Sequence, residues 1–283
     1  MASLIGIRRR IRSTKNIAQI TKAMQMVSAS KMRKAQNSAL ATRPFTDKLK
    51  EIMAKVSDGS YSHSLTELRS EKKILFILVS TTKGLCGGLN VNLYRQYLSF
   101  TQQYASSTIS AAVIGRKVRW VIPGKDVTLA ARFDRIGETP TFLESRSVAK
   151  FAMDQFASGL YDSVYLAYPK FISTLTNEVK IEKILPVTPQ KNSDAPTSAL
   201  YSIEPSPSIL LERLIPYQVE MTLHQALLES RATEHSARMV AMKNASDNAK
   251  DLISSLTLDY NSARQSQVTS ELLDVTTARM ALE

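Results

Sequence analysis

The sequence is poor in the residues that build metal and redox sites. It contains one cysteine and three histidines among 283 residues. A single cysteine, Cys86, excludes an internal disulfide and a cysteine-rich zinc site. The histidines His63, His224 and His235 are scattered, without the spacing of a zinc motif, and we expect the last two at solvated or coiled-coil flank positions. The sequence therefore predicts no metal site, no cofactor and no catalytic constellation of its own.

Long apolar runs are also missing. No stretch approaches the roughly 20 consecutive apolar residues of a membrane-spanning helix, and the first residues lack the apolar core of a secretory signal. We therefore expect a reducing, cytoplasm-like compartment.

Glycine and proline are few, nine and ten respectively, and two long stretches contain neither. The first runs from residue 7 to 43 and the second from 217 to 283. Each predicts a long helix, and the second would span about 100 Å at 1.5 Å per residue. We expect Pro44 to end or bend the first helix.

Apolar spacing predicts that the two helices pair. In the first helix Ile17, Ile20, Met24 and Val27 follow a 3-4-3 spacing, and Leu4, Ile7 and Ile11 repeat it on a shifted face. The second helix carries an alternating 3-4 seam of small, polar and aliphatic residues, at Met239, Met242, Ser246, Ala249, Ile253, Leu256, Tyr260 and Ala263. A helix of this length must protrude or pair, so we predict a long antiparallel coiled coil.

Several methionines lie on these helices, and two interpretations are open. They fill the seam between the helices, which we favour because methionine adapts to irregular gaps, or they form a slippery surface that moves against a partner. The methionines concerned are Met24, Met26, Met32, Met239 and Met242.

The middle of the chain has a different pattern. Continuous apolar runs at 74–79, 111–114 and 163–167 predict buried strands, and 179–185 predicts an antiparallel edge strand. Helices are expected from the loop at 81–90 to about Tyr104 and over 148–160. This alternation predicts a small, mostly parallel, Rossmann-like α/β domain. The proline-rich stretch 186–207 predicts a loop.

The glycine-rich loop at 84–88 follows a strand and precedes a helix, where backbone amides often cradle phosphate. It has no Walker lysine and no dinucleotide spacing, so we favour a tight structural turn. Cys86 within it is either a nucleophile at a helix start or a small buried hydrophobe, and the absence of a neighbouring histidine favours the second.

Charge is concentrated at one end of the sequence. The net charge is +12, and residues 1–50 hold twelve Lys or Arg against one acid, Asp47. Such a segment binds nucleic acid, anionic lipid or an acidic protein surface. Aromatic residues that stack on single strands are absent from the first 44 residues. A coiled-coil nucleic-acid-binding protein remains the alternative interpretation.

Three segments in the expected order resemble the gamma subunits of bacterial F-type ATP synthases. Residues 15–32 (KNIAQITKAMQMVSASKM) are similar to that family's N-terminal helix and 83–90 (KGLCGGLN) to its signature loop. Residues 227–242 (LLESRATEHSARMVAM) and 261–265 (NSARQ) are similar to its C-terminal helix. The chain departs from the family pattern at Thr81-Thr82 and at 274–278.

The resemblance implies a rotor shaft that couples ion flow to ATP synthesis on other subunits. Implied partners are the alpha and beta subunits, the epsilon subunit and the c-ring, with the protein peripheral to the inner membrane, on the cytoplasmic side in a bacterium or the matrix side in a mitochondrion. Implied domains are helix 1–58, sheet domain 70–190 and helix 208–283.

The resemblance also implies individual site residues. The family pattern places a group of side chains near a beta subunit, and the signature loop is the second group. The expected beta contacts are Lys22, Met24, Arg231, Glu234, Arg264 and Gln265. The loop residues are Lys83, Gly84, Leu85, Cys86, Gly87 and Gly88.

Overall fold

A computed structural model describes residues 4–56, 63–117, 128–174, 176–188 and 206–280. It contains two long terminal helices and a five-stranded sheet. The helices are α1 (Leu4–Val56) and α4 (Pro207–Met280). Between them lie β1 (Lys73–Val79), α2 (Leu89–Gln103), β2 (Thr108–Ile114), β3 (Thr128–Phe133), α3 (Phe142–Ala157), β4 (Ser163–Phe171) and β5 (Asn177–Leu185).

The chain divides into two compact units, and both long helices contribute to each. The first unit consists of Met1–Ser28 and Met239–Glu283, and the second of Ala29–Arg238. The domain boundaries predicted at residues 58 and 190 fall outside the described ranges and stay predictions. Most of the predicted loop 186–207 also lies outside them.

The sheet of the second unit has the order β3-β2-β1-β4-β5. The pairs β1–β2, β1–β4 and β2–β3 are parallel, and β4–β5 is antiparallel. This confirms the mostly parallel α/β domain with an antiparallel edge strand. β3 is absent from the sequence-based prediction, because its exposed edge position leaves it without a continuous apolar run.

Both faces of the sheet are covered, which explains the continuous apolar run of β1. On one face Leu75, Ile77 and Val79 pack against α3, the end of α1 and the first turns of α4. On the other face Ile74 and Phe76 pack against the buried side of α2. Strands buried on both sides must be apolar at every position, not at alternate ones.

The helices α1 and α4 are antiparallel neighbours in the second unit. The Phe45 and Tyr217 rings are 6.0 Å apart between centroids, and the Gln225 amide donates to the Ala39 carbonyl at 3.2 Å. Residue numbers fall along one helix while they rise along the other, as antiparallel pairing requires.

Pro44 does not end α1, since the helix continues through it to Val56; a bend at Pro44, the other predicted effect, stays a prediction. Proline removes one backbone donor, and tertiary packing of the following turns, from Thr46 to Met53, outweighs that loss. α4 likewise begins at Pro207, where proline suits a first turn, and runs through Pro216. α3 begins at Phe142, earlier than predicted, because Thr141 and Glu144 form a capping box.

In the first unit the predicted seam of α4 is confirmed. Met242, Ser246, Ala249 and Leu256 are buried, and the remaining seam positions are half-buried, at Met239, Ile253, Tyr260 and Ala263. From Arg264 to Met280 every residue of α4 is exposed.

The predicted seam of α1 is wrong at Ile17, Ile20 and Val27, whereas Met24 is half-buried and the upstream positions Leu4, Ile7 and Ile11 are half-buried or buried, as predicted. Ile17, Ile20 and Val27 are 51%, 59% and 56% exposed. The buried positions are spaced by seven on the shifted face, at Ile7, Thr14, Thr21 and Ser28. Met26 is exposed as well, so it does not fill the seam, whereas Met32 and Met242 are buried.

Small and hydroxylated side chains can occupy this seam because their polar atoms are satisfied locally. The Thr14 hydroxyl donates to the Arg10 carbonyl at 2.9 Å, and that of Thr21 to the Ile17 carbonyl at 3.0 Å. Such residues let helix backbones pack closely, and the larger isoleucines then point outward.

Two leucines of α4, near the C-terminal end of the seam, test its burial pattern. Leu256 is 5% exposed and Leu258 is 71% exposed. We expect Leu256→Ala to lower the local stability of α4 by about 2 kcal/mol or more, because it removes buried apolar contacts and leaves a cavity. Leu258→Ala should change it by less than about 0.5 kcal/mol. Native-state hydrogen exchange of the amides around residues 250–260 measures both, and equal effects would contradict the seam.

Candidate functional site

The signature loop leaves the carboxyl end of β1 and is fixed against the end of β2. The Ser80 amide and hydroxyl both donate to the Ile114 carbonyl, at 2.9 and 2.8 Å. Gly115 follows with φ of +95°, and a Cβ there would lie 2.7 Å from the Ser80 carbonyl oxygen. Glycine is therefore required at 115 by conformation and by space.

The loop is closed on itself by Asn90 at the start of α2. Its side-chain amide donates to the Thr81 hydroxyl at 2.8 Å, and its oxygen accepts from the Thr81 amide at 3.4 Å. Two residues of the turn, Leu85 and Gly87, have φ near +60°. Leu85 holds this strained conformation while its side chain is 61% exposed.

The loop docks onto α4 through the carboxylate of Glu234. This carboxylate accepts from the amides of Thr82 and Lys83, each at 3.2 Å. It also pairs with Arg231 at 2.8 Å and with Arg238 at 2.6 Å. The three charged residues are spaced i, i+3 and i+7, which places them on one face of the helix.

Arg238 holds the loop from the opposite side. Its guanidinium donates to the carbonyls of Lys83 and Gly84, each at 3.1 Å, and lies 3.3 Å from His235 Nδ1. Burial raises the pKa of Glu234, but the charges of Arg231 and Arg238 and the loop amides outweigh burial and lower it. The carboxylate is therefore ionised, as this arrangement requires.

A second ionic contact joins three segments of the second unit. Glu138, in the loop before α3, pairs with Lys31 of α1 at 2.5 Å and with Lys83 of the signature loop. The hydrogen bonds from the two lysines lower the pKa of Glu138 to about 2. Together with Glu234, this residue fixes the loop to both long helices.

The structure favours the interpretation of the glycine-rich loop as a structural turn. The amides of Thr82 and Lys83, which precede it, bind the Glu234 carboxylate of α4. The loop is therefore fixed against α4 by an anion of the protein itself. Cys86 is buried beside Thr81 and Asn90, and burial raises the pKa of its thiol, so it is not an activated nucleophile.

The histidines do not form a metal site. Among the described residues, no group of three or more His, Cys, Asp or Glu is placed to hold a metal ion. His224 is half-buried and its Nδ1 lies 3.0 Å from the Ser145 hydroxyl. His235 is buried and not solvated, one of the two predicted alternatives, because it lies beside Arg238 and lines a cavity with Lys31 and Glu138. Burial lowers its pKa.

The predicted site residues fall into two sets. Arg231 and Glu234 lie with the signature loop, and their side chains are 1% and 2% exposed. A direct contact between either of them and a partner would require the loop to move first. Lys22, Met24, Arg264 and Gln265 belong to the first unit. Met24 is half-buried and the other three are exposed.

Sequence reasoning missed Arg238, Lys31 and Glu138. A signal existed for Arg238, which follows Glu234 by four residues on a helix without glycine or proline. No local signal exists for Glu138, since its partners are 107 and 55 positions away in the sequence and the distances depend on the fold.

The comparisons with known proteins agree with this geometry. The chain matches the family model described as ATP synthase over residues 3–282. It is 43% identical to the ATP synthase gamma chain of Dehalococcoides mccartyi over 100% of both chains.

Two solved structures are similar in fold. One is a chain of the Euglena gracilis mitochondrial ATP synthase, with a TM-score of 0.70, 17% identity, and 99% of this chain and 94% of that chain covered. The other is a chain of the Tetrahymena thermophila central stalk and c-ring, with a TM-score of 0.60, 25% identity, and 80% and 99% covered.

The paired terminal helices and the clamped sheet domain thus define a protein of the ATP synthase class. Within that class, the chain belongs to the ATP synthase gamma chain family.

The buried carboxylate gives a direct test. Glu234→Gln leaves Arg231 and Arg238 without their counter-charge in the interior, and we expect it to lower the free energy of unfolding by about 3 kcal/mol. Glu178→Gln, at an exposed acid of β5, is the control and should change it by less than about 0.5 kcal/mol. Urea unfolding followed by circular dichroism measures both, and a small loss in the first variant would mean that Glu234 does not hold the loop.

Glu138 predicts a pH dependence. Its pKa is lowered on folding from 4.5 to about 2, so it contributes stability above about pH 4.5 that is lost as the pH falls toward 2. The melting temperature of the wild type should therefore exceed that of Glu138→Gln at pH 7, and the difference should shrink below about pH 4.5. A difference that is constant with pH would show that ionisation of Glu138 is not responsible.

Proposed function

We propose that this chain is the central rotor shaft of an F-type ATP synthase, coupling ion flow through the membrane sector to ATP synthesis on the beta subunits. Membership of the gamma chain family supports this function directly. The coiled-coil nucleic-acid-binding alternative has no support from these relatives.

Exposed apolar side chains of the first unit support the interpretation of its helix pair as a shaft. Its helices present apolar side chains outward: Ile17, Ile20 and Val27 on α1, and Val268 and Leu272 on α4. Exposed apolar rows on a helix pair suit contact with an enclosing protein surface, since water is an unfavourable environment for them. A shaft that turns inside a ring of alpha and beta subunits has such an environment.

Rotation drives chemistry only if the shaft contacts the surrounding subunits unequally. A ligand or partner shifts a conformational equilibrium only by its differential affinity for the two states. The two helices differ in sequence, so the helix pair is not symmetric about its long axis. Each beta subunit around it therefore contacts a different surface. Turning the shaft then changes which conformation each catalytic site prefers.

Torque must also pass between the sheet domain and the long helices. The contacts of Glu234 with Thr82 and Lys83, and of Glu138 with Lys31, connect the signature loop to α4 and α1 within the second unit. We assign Arg231 and Glu234 to this connection.

We keep four residues as candidates for contact with a beta subunit: Lys22, Met24, Arg264 and Gln265. All four lie in the first unit, and the exposed arginine and glutamine are neighbours on α4. Arg264 offers five donors in a planar fork, which suits recognition of carboxylates and carbonyls on a partner loop.

The remaining partners belong to the membrane side. The similar Tetrahymena chain comes from a central stalk and c-ring assembly, and we propose an equivalent c-ring and an epsilon subunit here. The protein acts as part of a membrane-bound complex, and we place it on the cytoplasmic side of a bacterial inner membrane.

No helix among the described residues is long and apolar enough to cross a membrane.

Arg264→Ala tests the shaft function in a reconstituted complex with alpha and beta subunits. We expect it to lower ATP turnover about tenfold, because one or two charge-assisted hydrogen bonds to the partner are lost in the active state. The circular dichroism spectrum of the purified chain should stay unchanged. Arg213→Ala, at an exposed arginine in the second unit, is the matched control and should leave turnover intact. Unchanged turnover in Arg264→Ala would remove this residue from the contact surface.

A further inference from the structure

We propose that the second unit contains a binding site for a small oxyanion of the phosphate class. The site is a cavity of about 190 Å³ between α1, the loop before α3, and α4, and we call it the anion cavity. Its polar lining includes Lys31, Lys34, Glu138, Thr139, Arg231 and His235. Drug-sized and cofactor ligands occupy pockets of roughly 300–1,000 Å³, so the volume selects a small ion.

Arg231 is the central argument for an anionic ligand. Its side chain is 1% exposed, and within the described part of the chain Nη1 alone has acceptors, the Glu234 carboxylate at 2.8 Å and the Ser80 carbonyl at 3.5 Å. Nε and Nη2 are buried, and no hydrogen-bond partner for them lies among the described residues. A buried guanidinium with unpaired donors is unfavourable, and Nε and Nη2 form the edge of a guanidinium that binds two oxygens of one oxyanion. Because both atoms are buried, the side chain must turn toward the cavity for the ion to reach them.

The surrounding charge favours the same ligand. Glu234 is shared by Arg231 and Arg238, and Glu138 by Lys31 and Lys83. Glu144 caps α3 by accepting from the Thr141 amide at 2.7 Å and does not line the cavity. Lys34 adds a further cation at the exposed rim. Among the residues that line the cavity, the cations Lys31, Lys34 and Arg231 outnumber the one carboxylate, Glu138.

The geometry also describes how the ion would enter and what it would join. Lys31 and Lys34 stand on an exposed face of α1, so the cavity can be reached from solvent, and Pro140 and Leu228 form apolar walls. A bound oxyanion would accept from α1 and α4 together and add a non-covalent bridge between them. Its effect is therefore to stabilise the second unit, whether or not the chain is assembled with partners.

The experiment uses the purified full chain with sodium phosphate, and with sodium chloride at matched ionic strength as the comparison. We expect saturable binding by isothermal titration calorimetry, together with a rise in melting temperature that follows phosphate occupancy and is absent in chloride. An identical response to both salts, or heat that never saturates, would show screening by salt and overturn the site.

Matched variants locate the binding. Lys34→Gln, at the rim, should weaken phosphate binding about fivefold, the size expected of one partly screened charge. Arg33→Gln, at the adjacent exposed position outside the cavity, should leave it unchanged. Equal effects of the two variants would contradict the proposal.

Arg231→Met should abolish phosphate binding. Because it also removes a buried partner of Glu234, we expect a lower melting temperature in both salts and no further rise with phosphate. If this variant does not fold, the comparison of Lys34→Gln with Arg33→Gln still decides. Acetate distinguishes the ligand class, because a site that prefers acetate to phosphate would fit the carboxylate of a partner protein and would overturn the assignment to a free oxyanion.

Discussion

The structure of the second unit depends on one ionised carboxylate held away from water. The single carboxylate of Glu234 accepts from two loop amides and pairs with two guanidinium groups. An unpaired buried charge is strongly unfavourable, so each of these groups requires the others. The loop cannot leave α4 without taking two amide donors from Glu234 and two carbonyl acceptors from Arg238. These contacts hold the glycine-rich turn against α4.

The helices α1 and α4 pack through different kinds of contact in the two units. In the second, α1 and α4 lie against a sheet, and ionic contacts such as Arg43–Glu229 add to apolar burial. In the first, small and hydroxylated residues form the seam, and apolar residues such as Ile20 remain outside. The exposed isoleucines are unfavourable in an isolated chain, but they are what a shaft needs if its surroundings are protein.

Much of the fold follows from the sequence because its signals are local. The buried strand β1, the antiparallel strand β5 and the seam of α4 are each specified by apolar spacing within a few residues. The seam of α1 is not specified in this way. Ile17 and Ile20 are more hydrophobic than Thr14 and Thr21, so the apolar spacing points to the wrong face of the helix. The docking of the loop by Glu234 and Glu138 joins distant segments, and only the fold brings them together.

The hydroxyls of the α1 seam have a mechanical consequence. The hydroxyls of Thr14 and Thr21 donate to carbonyls of their own helix. They therefore contribute to the seam through close packing and do not fix the position of α1 along α4 by hydrogen bonds. Ionic contacts in the second unit are directional and resist shear, whereas close-packed surfaces resist separation but yield to small rotations. At these positions the helix pair of the first unit therefore has fewer directional contacts to oppose a small twist than the pair of the second unit has at Arg43–Glu229.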